Sequence, residues 1–252
     1  MTVAPFPQND AETVENALLG GRVRLRQPAK GYRAGMDAAL LAAAVAAGPG
    51  QRVIEAGCGA GAVLMQIAAR RAGVALTGLE RDPAMAALAR ENTALNGVYA
   101  DIVTGDVAAG FRALEMTPFD WAVSNPPFFD DPGALRAPAA GKRGAWMADD
   151  GLKAWTDFLL RAVREGGKIV VIHRADRLAD LLALLGAGAG SFAVRGVHPY
   201  ADEPAKRVLV QAIKTGRAPL RLLPPLVLHD RSGAKHTAEA EAVLRGEAAL
   251  PF

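Results

Sequence analysis

Cysteine is nearly absent. Cys58 is the single one among 252 residues, so no intrachain disulfide can form, and a cytoplasmic location is expected. Long apolar runs are missing as well. The stretch at residues 38–47 is about half the ~20 residues a spanning helix needs, so no membrane association is expected. The opening MTVAPFPQNDAETVENA has neither the charged nor the apolar region of a secretory signal. There is no internal repeat and no long linker, and no bound metal is expected. Acidic residues are missing from two windows. One, between Asn16 and Met36, carries Arg22, Arg24, Arg26, Lys30 and Arg33. The other, between Glu203 and Asp230, carries Lys206, Arg207, Lys214, Arg217 and Arg221. With a net charge of only +3, such clustering marks either two solvated faces or the footprint of an anionic partner such as nucleic acid.

The chain is 51% hydrophobic and 22% charged, an ordinary globular balance, and its length suits one α/β domain with small additions. From residue 52 onward β-like and helix-like segments alternate. Strands are expected at 52–56, 74–80, 101–104, 119–124, 168–173, 192–197 and 207–213. Helices are expected at 62–71, 83–95, 150–164 and 175–185, with Pro83 in a first turn and Gly166-Gly167 ending the third. This alternation predicts an α/β, Rossmann-like fold: a seven-stranded, mostly parallel sheet flanked by helices. Ahead of it, residues 17–26 read as a small hairpin around Gly20-Gly21, and a helix follows at about 35–47. Arg22, Arg24 and Arg26 alternate with Val23 and Leu25, giving that hairpin one basic and one apolar face. Three parts result: an N-terminal extension (1–48), a core (49–216) and a C-terminal appendage (217–252) with one apolar run at 220–228 and a short helix at 237–244. Residues 130–148, rich in glycine, proline and base, read as a long functional loop.

The first core strand runs through Glu55-Ala56-Gly57-Cys58-Gly59-Ala60-Gly61 into a helix. Glycines are needed where a strand turns sharply and a ligand approaches the backbone. Alone the motif is ambiguous. Gly57-x-Gly59-x-x-Ala62 also satisfies the dinucleotide fingerprint, and Glu80 at the end of the second strand would accept ribose hydroxyls in either case. Glu55 tilts the balance. A carboxylate there is unfavourable beside a pyrophosphate and suits the positively charged methionyl end of S-adenosyl-L-methionine. Asp106, after Gly105 and the third strand, is placed to bond an adenine amino group. Cys58 reads as a small turn residue, because no base beside it would activate a thiol.

Directly after the strand at 119–124 comes Asn125-Pro126-Pro127-Phe128. Consecutive prolines fix an extended backbone without N–H donors, which leaves carbonyls free to accept beside the Asn125 amide oxygen. A planar amino group needs two such acceptors to hold its hydrogens and expose its lone pair to a methyl donor, while Phe128 stacks on the ring that carries it.

With this motif after the fourth strand, the chain resembles class I methyltransferases that modify exocyclic amino groups. It resembles more closely the bacterial tRNA adenine-N(6) methyltransferases acting on the anticodon loop of a valine tRNA. That closer resemblance rests on Gly20-Gly21-Arg22-Val23-Arg24-Leu25, on Gly31-Tyr32-Arg33-Ala34-Gly35-Met36-Asp37, and on the run from Glu203 to Val210. It implies a methyl donor held by Asp37, Glu55, Gly57, Gly59, Gly61, Glu80, Asp106 and Asn125. It implies an adenine of tRNA held by Asn125, Pro126, Pro127 and Phe128. Asp37 either helps close the cofactor pocket or simply caps the following helix. Arg22, Arg24, Arg26, Lys142 and Arg143 are the expected RNA contacts. Phe128 stands where tyrosine is commoner, so stacking survives and any role for a phenol hydroxyl is lost. The rivals are a protein glutamine methyltransferase, whose planar amide needs the same clamp, and a non-catalytic RNA-binding relative.

Overall fold

The computed structural model describes residues 12–30, 33–127 and 148–252. Among them ten strands form: β1 (Thr13–Leu18), β2 (Val23–Pro28), β3 (Arg52–Ala56), β4 (Ala75–Glu80), β5 (Ala100–Thr104), β6 (Phe119–Ser124), β7 (Val163–Arg174), β8 (Ala189–His198), β9 (Arg207–Lys214) and β10 (Arg221–Val227). Six α-helices accompany them among the described residues: α1 (Met36–Ala44), α2 (Ala62–Arg70), α3 (Pro83–Leu95), α4 (Ala148–Ala162), α5 (Leu178–Leu185) and α6 (Ala238–Leu244). β1 and β2 pair as a separate antiparallel hairpin. The other eight make one sheet in the order β10-β8-β9-β7-β6-β3-β4-β5, parallel throughout except that β9 runs against both β7 and β8.

Both faces of the sheet are covered, so its inner strands are mostly apolar on both sides, with buried polar exceptions such as Glu55 and Ser124. Successive residues serve opposite layers. Val53, Val170 and Ile172 pack with α1, α2 and the hairpin, whereas Ile54, Ile169 and Val171 pack with α4 and α5.

Two expectations need correcting. The sheet has eight strands rather than seven, because the apolar run at 220–228 supplies β10. Pro224-Pro225 weakened the strand signal there. The structure tolerates the pair because β10 is an edge strand whose register shifts between Leu223 and Leu226. The helix expected at 150–164 is α4, which ends at Ala162. Val163 already pairs with Phe119, and residues 164–167 loop out before Lys168 pairs with Trp121. Gly167 suits that excursion, since a Cβ would lie 2.7 Å from the Arg164 carbonyl oxygen.

The hairpin is fastened to the core by two asparagines of α3 and its cap. Arg26 N donates to Asn92 Oδ1 (2.8 Å), while Asn92 Nδ2 donates to the carbonyls of Arg26 and Ala60 (both 2.9 Å). Asn96 makes the same two-way pairing with the Arg24 backbone. Asn92 is fully buried, so Asn92→Leu strands three backbone groups. At ~1–3 kcal/mol for each unsatisfied group, a loss of about 3 kcal/mol is expected, or roughly 6–12 °C in Tm for a chain of this size. Calorimetric melting with no shift would show that the clamp carries no stability.

Residues 243–251 are held by arginines from far along the chain. Arg22 Nη2 donates to the Arg245 carbonyl (3.0 Å), and Arg70 donates to those of Val243 and Ala248. Arg195 donates to those of Pro224 (2.7 Å) and Pro251 (2.8 Å). Burial first, then the charges of Arg22 and Arg71, lower the Arg70 pKa to about 10, which leaves it cationic at neutral pH. Among the described residues, no helix is long and apolar enough to cross a membrane.

Candidate functional site

The carboxyl ends of four neighbouring strands line up the expected residues in sheet order. Asn125 follows β6, the glycine turn follows β3, Glu80 ends β4, and Asp106 lies just past β5. This is where open α/β sheets bind ligands.

All three turn glycines adopt left-handed backbone, with φ of +71° at Gly57, +53° at Gly59 and +83° at Gly61. Gly61 is the N-cap of α2. Gly57 N and Cys58 N donate to the Leu79 carbonyl (2.8 and 3.0 Å), which fixes the turn to β4. Gly57 has a second reason to be glycine. A Cβ there would lie 2.3 Å from Cη2 of Trp155 on α4. Glu80 grips the same turn: Oε2 accepts from Gly59 N (2.9 Å) and Oε1 from Asp82 N (2.8 Å). Asp106 lies exposed and accepts from Ala108 N (2.9 Å), capping a short turn of helix.

Glu55, Gly57, Gly59 and Asn125 line one cleft, together with Gln27, Pro28, Ala34, Ala38, Cys58 and Met85 among others. Glu55 is only 2% exposed, and its Oε2 has no hydrogen-bond partner. Burial first, and the charge of Glu80 second, raise its pKa well above the ordinary 4.5, opposed by a backbone bond from Leu64. A buried carboxylate with an orphaned oxygen, beside a second carboxylate, is a receptor for positive charge. It therefore fits the ammonium and sulfonium of S-adenosyl-L-methionine and not a pyrophosphate. Burial, then Glu55 and Glu80, push the Cys58 thiol pKa up as well, so it stays neutral. Among the described residues, no group of three or more His, Cys, Asp or Glu is placed to hold a metal.

Asn125 is half-buried and Pro126 buried, while Pro127 is exposed. Ser124 Oγ donates to the Ala56 carbonyl (3.0 Å), which registers the start of this segment against the glycine turn. Phe128, Lys142 and Arg143, with most of the loop at 130–148, lie outside the described residues. Asp37 sits in the first turn of α1, where Gly35 is the cap and no side chain bonds it. It does not line the cleft. Its Oδ2 accepts from Arg207 Nε (3.0 Å), which joins α1 to the start of β9.

The hairpin alternates as expected, with Val23, Leu25 and Gln27 buried and Arg24 and Arg26 exposed. Its arginines are partly engaged. Arg24 and Arg26 flank Glu15 (2.7 and 3.4 Å), and Arg22 is spent on the Arg245 carbonyl. Gln27, Asn92 and Trp155 were missed as site-forming residues. Gln27 carried a signal, being a polar residue at a buried position of the alternation. It accepts from Ala34 N (2.6 Å) and donates to Asn16 (3.2 Å), holding the chain at the cleft mouth. Asn92 and Trp155 carried none, since only the fold brings them to the turn.

Comparison with known proteins agrees with this geometry. The methyltransferase small domain family matches residues 33–139. The chain is 28% identical over 196 residues to the tRNA1(Val) (adenine(37)-N6)-methyltransferase of Dickeya chrysanthemi, covering 76% of each. It is 38% identical over 88 residues to the release factor glutamine methyltransferase of Deinococcus radiodurans, 30% of that protein's length. The crystal structure of a predicted O-methyltransferase from Agrobacterium tumefaciens has a TM-score of 0.71 at 29% identity, covering 86% of this chain and 99% of that one.

Proposed function

We propose that this chain, a class I S-adenosyl-L-methionine-dependent methyltransferase that carries a methyltransferase small domain, methylates the exocyclic amino group of an adenine in tRNA in the cytoplasm. The observation that carries the reading is Asn125 at the end of β6, opening into the cleft lined by Glu55 and the glycine turn. The Dickeya relative, named for adenine-N6 methylation of tRNA, supports it over 76% of both chains. The glutamine methyltransferase match is confined to 88 residues, and the basic hairpin favours a polyanion over a protein.

S-adenosyl-L-methionine supplies an electrophilic methyl group on a positively charged sulfur. Glu55 receives the positive end of the donor, Glu80 accepts from its ribose, and Asp106 bonds its adenine. Gly57, Gly59 and Gly61 let it approach the backbone. Asn125 and the Pro126 carbonyl accept hydrogen bonds from the target amine, Pro127 holds the segment extended, and Phe128 stacks on the base. These contacts hold the nitrogen with its lone pair towards the methyl group. Asp37 acts at one remove, by anchoring α1, whose Ala38 lines the cleft, to Arg207.

An adenine reaches such a pocket only by leaving its stack, at a cost of a few kcal/mol. Phosphate contacts from Arg24, Arg26, Lys142 and Arg143 offset that cost, Arg22 being engaged by the Arg245 carbonyl. Nucleoside mass spectrometry of unmodified tRNA treated with the protein and labelled donor will show N6-methyladenosine. Label in protein glutamine and none in RNA would replace this reading with the glutamine one. Within the RNA reading, Arg24→Ala with Arg26→Ala will weaken tRNA binding and reduce the slope of log K against log[salt] by roughly 0.7–0.9 for each phosphate no longer neutralised. An unchanged slope would reduce the hairpin to a solvated face.

A further inference from the structure

We propose that residues 199–206 and 228–237 form a stacking platform for RNA bases outside the target adenine, centred on Tyr200 and His229. The inference rests on the RNA reading above and concerns a surface that reading does not use.

The sheet places these two loops on the same edge as the acceptor site. β8 and β10 run in the same direction as β6 and β7, so His198 and Val227, which are paired, end at the same sheet edge as Ser124. From β6 to β10 is four strand spacings, roughly 19 Å at ~4.8 Å each. That equals about six nucleotides at ~3.4 Å per stacked nucleotide. A loop whose adenine is held at Asn125 therefore reaches this surface with its flanking bases.

The rings are already arrayed. Tyr200 and His229 have centroids 5.6 Å apart, and His229 stacks on His236 at 5.2 Å with 23° between planes. The Arg231 guanidinium lies 5.0 Å from the Tyr200 ring centroid and is itself forked onto Asp202 (3.0 and 3.1 Å). His229 Nδ1 lies 2.6 Å from the Lys235 carbonyl, and His198 Nδ1 lies 2.7 Å from that of Glu203. A carbonyl only accepts, so both Nδ1 atoms carry the proton and each ring is pinned by its own loop. All three stacked rings are half-buried. Pinned, half-buried rings suit sequence-tolerant base stacking, with little ordering cost on binding. Charge on this surface is mixed, Asp202, Glu203 and Asp230 standing among Lys206, Arg231 and Lys235. The platform therefore takes bases rather than phosphates, and this separates it from the hairpin.

The test uses the full chain, an unmodified tRNA transcript and a salt series. Tyr200→Leu keeps an apolar side chain and removes the π-face, and should weaken tRNA binding ~10-fold or more. The salt slope and donor affinity should be unchanged, and Tyr200→Phe should bind as the parent does. Crosslinking of photoreactive RNA to parent protein should label peptides containing Tyr200 or His229, which tests the surface without any substitution. If Tyr200→Leu melts earlier yet binds tRNA as the parent does, the rings only clamp two loops and the inference is overturned while the RNA reading stands. If the parent neither binds nor methylates tRNA, the RNA reading falls and takes this inference with it.

Discussion

Asn125→Ala will lower kcat by about 10²–10³-fold, the scale seen when one preorganised hydrogen-bonding group at a reacting centre is lost. Donor affinity measured by calorimetry will stay near that of the parent. The asymmetry follows from placement. Asn125 opens into the cleft from β6, whereas the glycine turn proposed to receive the donor is built by β3, Glu80 and the Leu79 carbonyl. Loss of its proposed contact with the acceptor amine lowers kcat and kcat/KM together. Turnover near the parent's would remove Asn125 from the chemistry. A collapse of donor binding would instead make it a cofactor ligand alone.

In the proposed site, Glu55 will make donor binding depend on pH. Its folded pKa is raised well above 4.5 by burial and then by Glu80. Without donor, the native state keeps a proton that the unfolded chain has lost, so stability falls as pH rises from about 4.5 toward the folded pKa. A cationic donor favours the ionised carboxylate and displaces that proton. Donor affinity should therefore rise with pH across the same window, approaching about tenfold per pH unit, since one pKa unit is ~1.4 kcal/mol. Glu55→Gln should bind donor ~10–100-fold more weakly, the scale of ~1.5–3 kcal/mol for a hydrogen bond to a charged group, and with a flat pH profile. Titration calorimetry at several pH values decides it. An affinity independent of pH in the parent would mean that Glu55 keeps one protonation state throughout.

The sheet was legible because strand and helix signals alternate in a chain whose core strands are apolar on both sides. The glycine turn was legible because three glycines within five residues have few other uses. Where legibility failed, local and tertiary preferences disagreed. Pro224-Pro225 argues against a strand, yet edge placement beside β8 tolerates it. Gly166-Gly167 marks a helix end, yet α4 stops at Ala162 because Val163 pairs with Phe119. Asp37 beside a glycine invites a capping role, yet Arg207, 170 residues later, takes it. That ion pair joins the second and last segments of the family resemblance, which sequence order alone could not foretell. Trp155 explains Gly57 sterically, and helical spacing alone does not reveal that contact.

The arginine contacts to residues 243–251 also order events in time. The bond from Arg22 to the Arg245 carbonyl spans 223 residues, and those from Arg70 span 173 and 178. Closing such loops is slow, because chain entropy must be spent before the contact returns anything. A ribosome delivers the hairpin arginine long before its acceptor. During synthesis the hairpin is therefore held by Asn92, Asn96 and the packing of Val23 and Leu25 before residues 243–251 follow. The asparagine clamp lies within α3 and its cap, so it is in place once that helix docks. The nascent chain accordingly assembles its glycine turn early and gains the guanidinium contacts only once residues 243–251 have joined it.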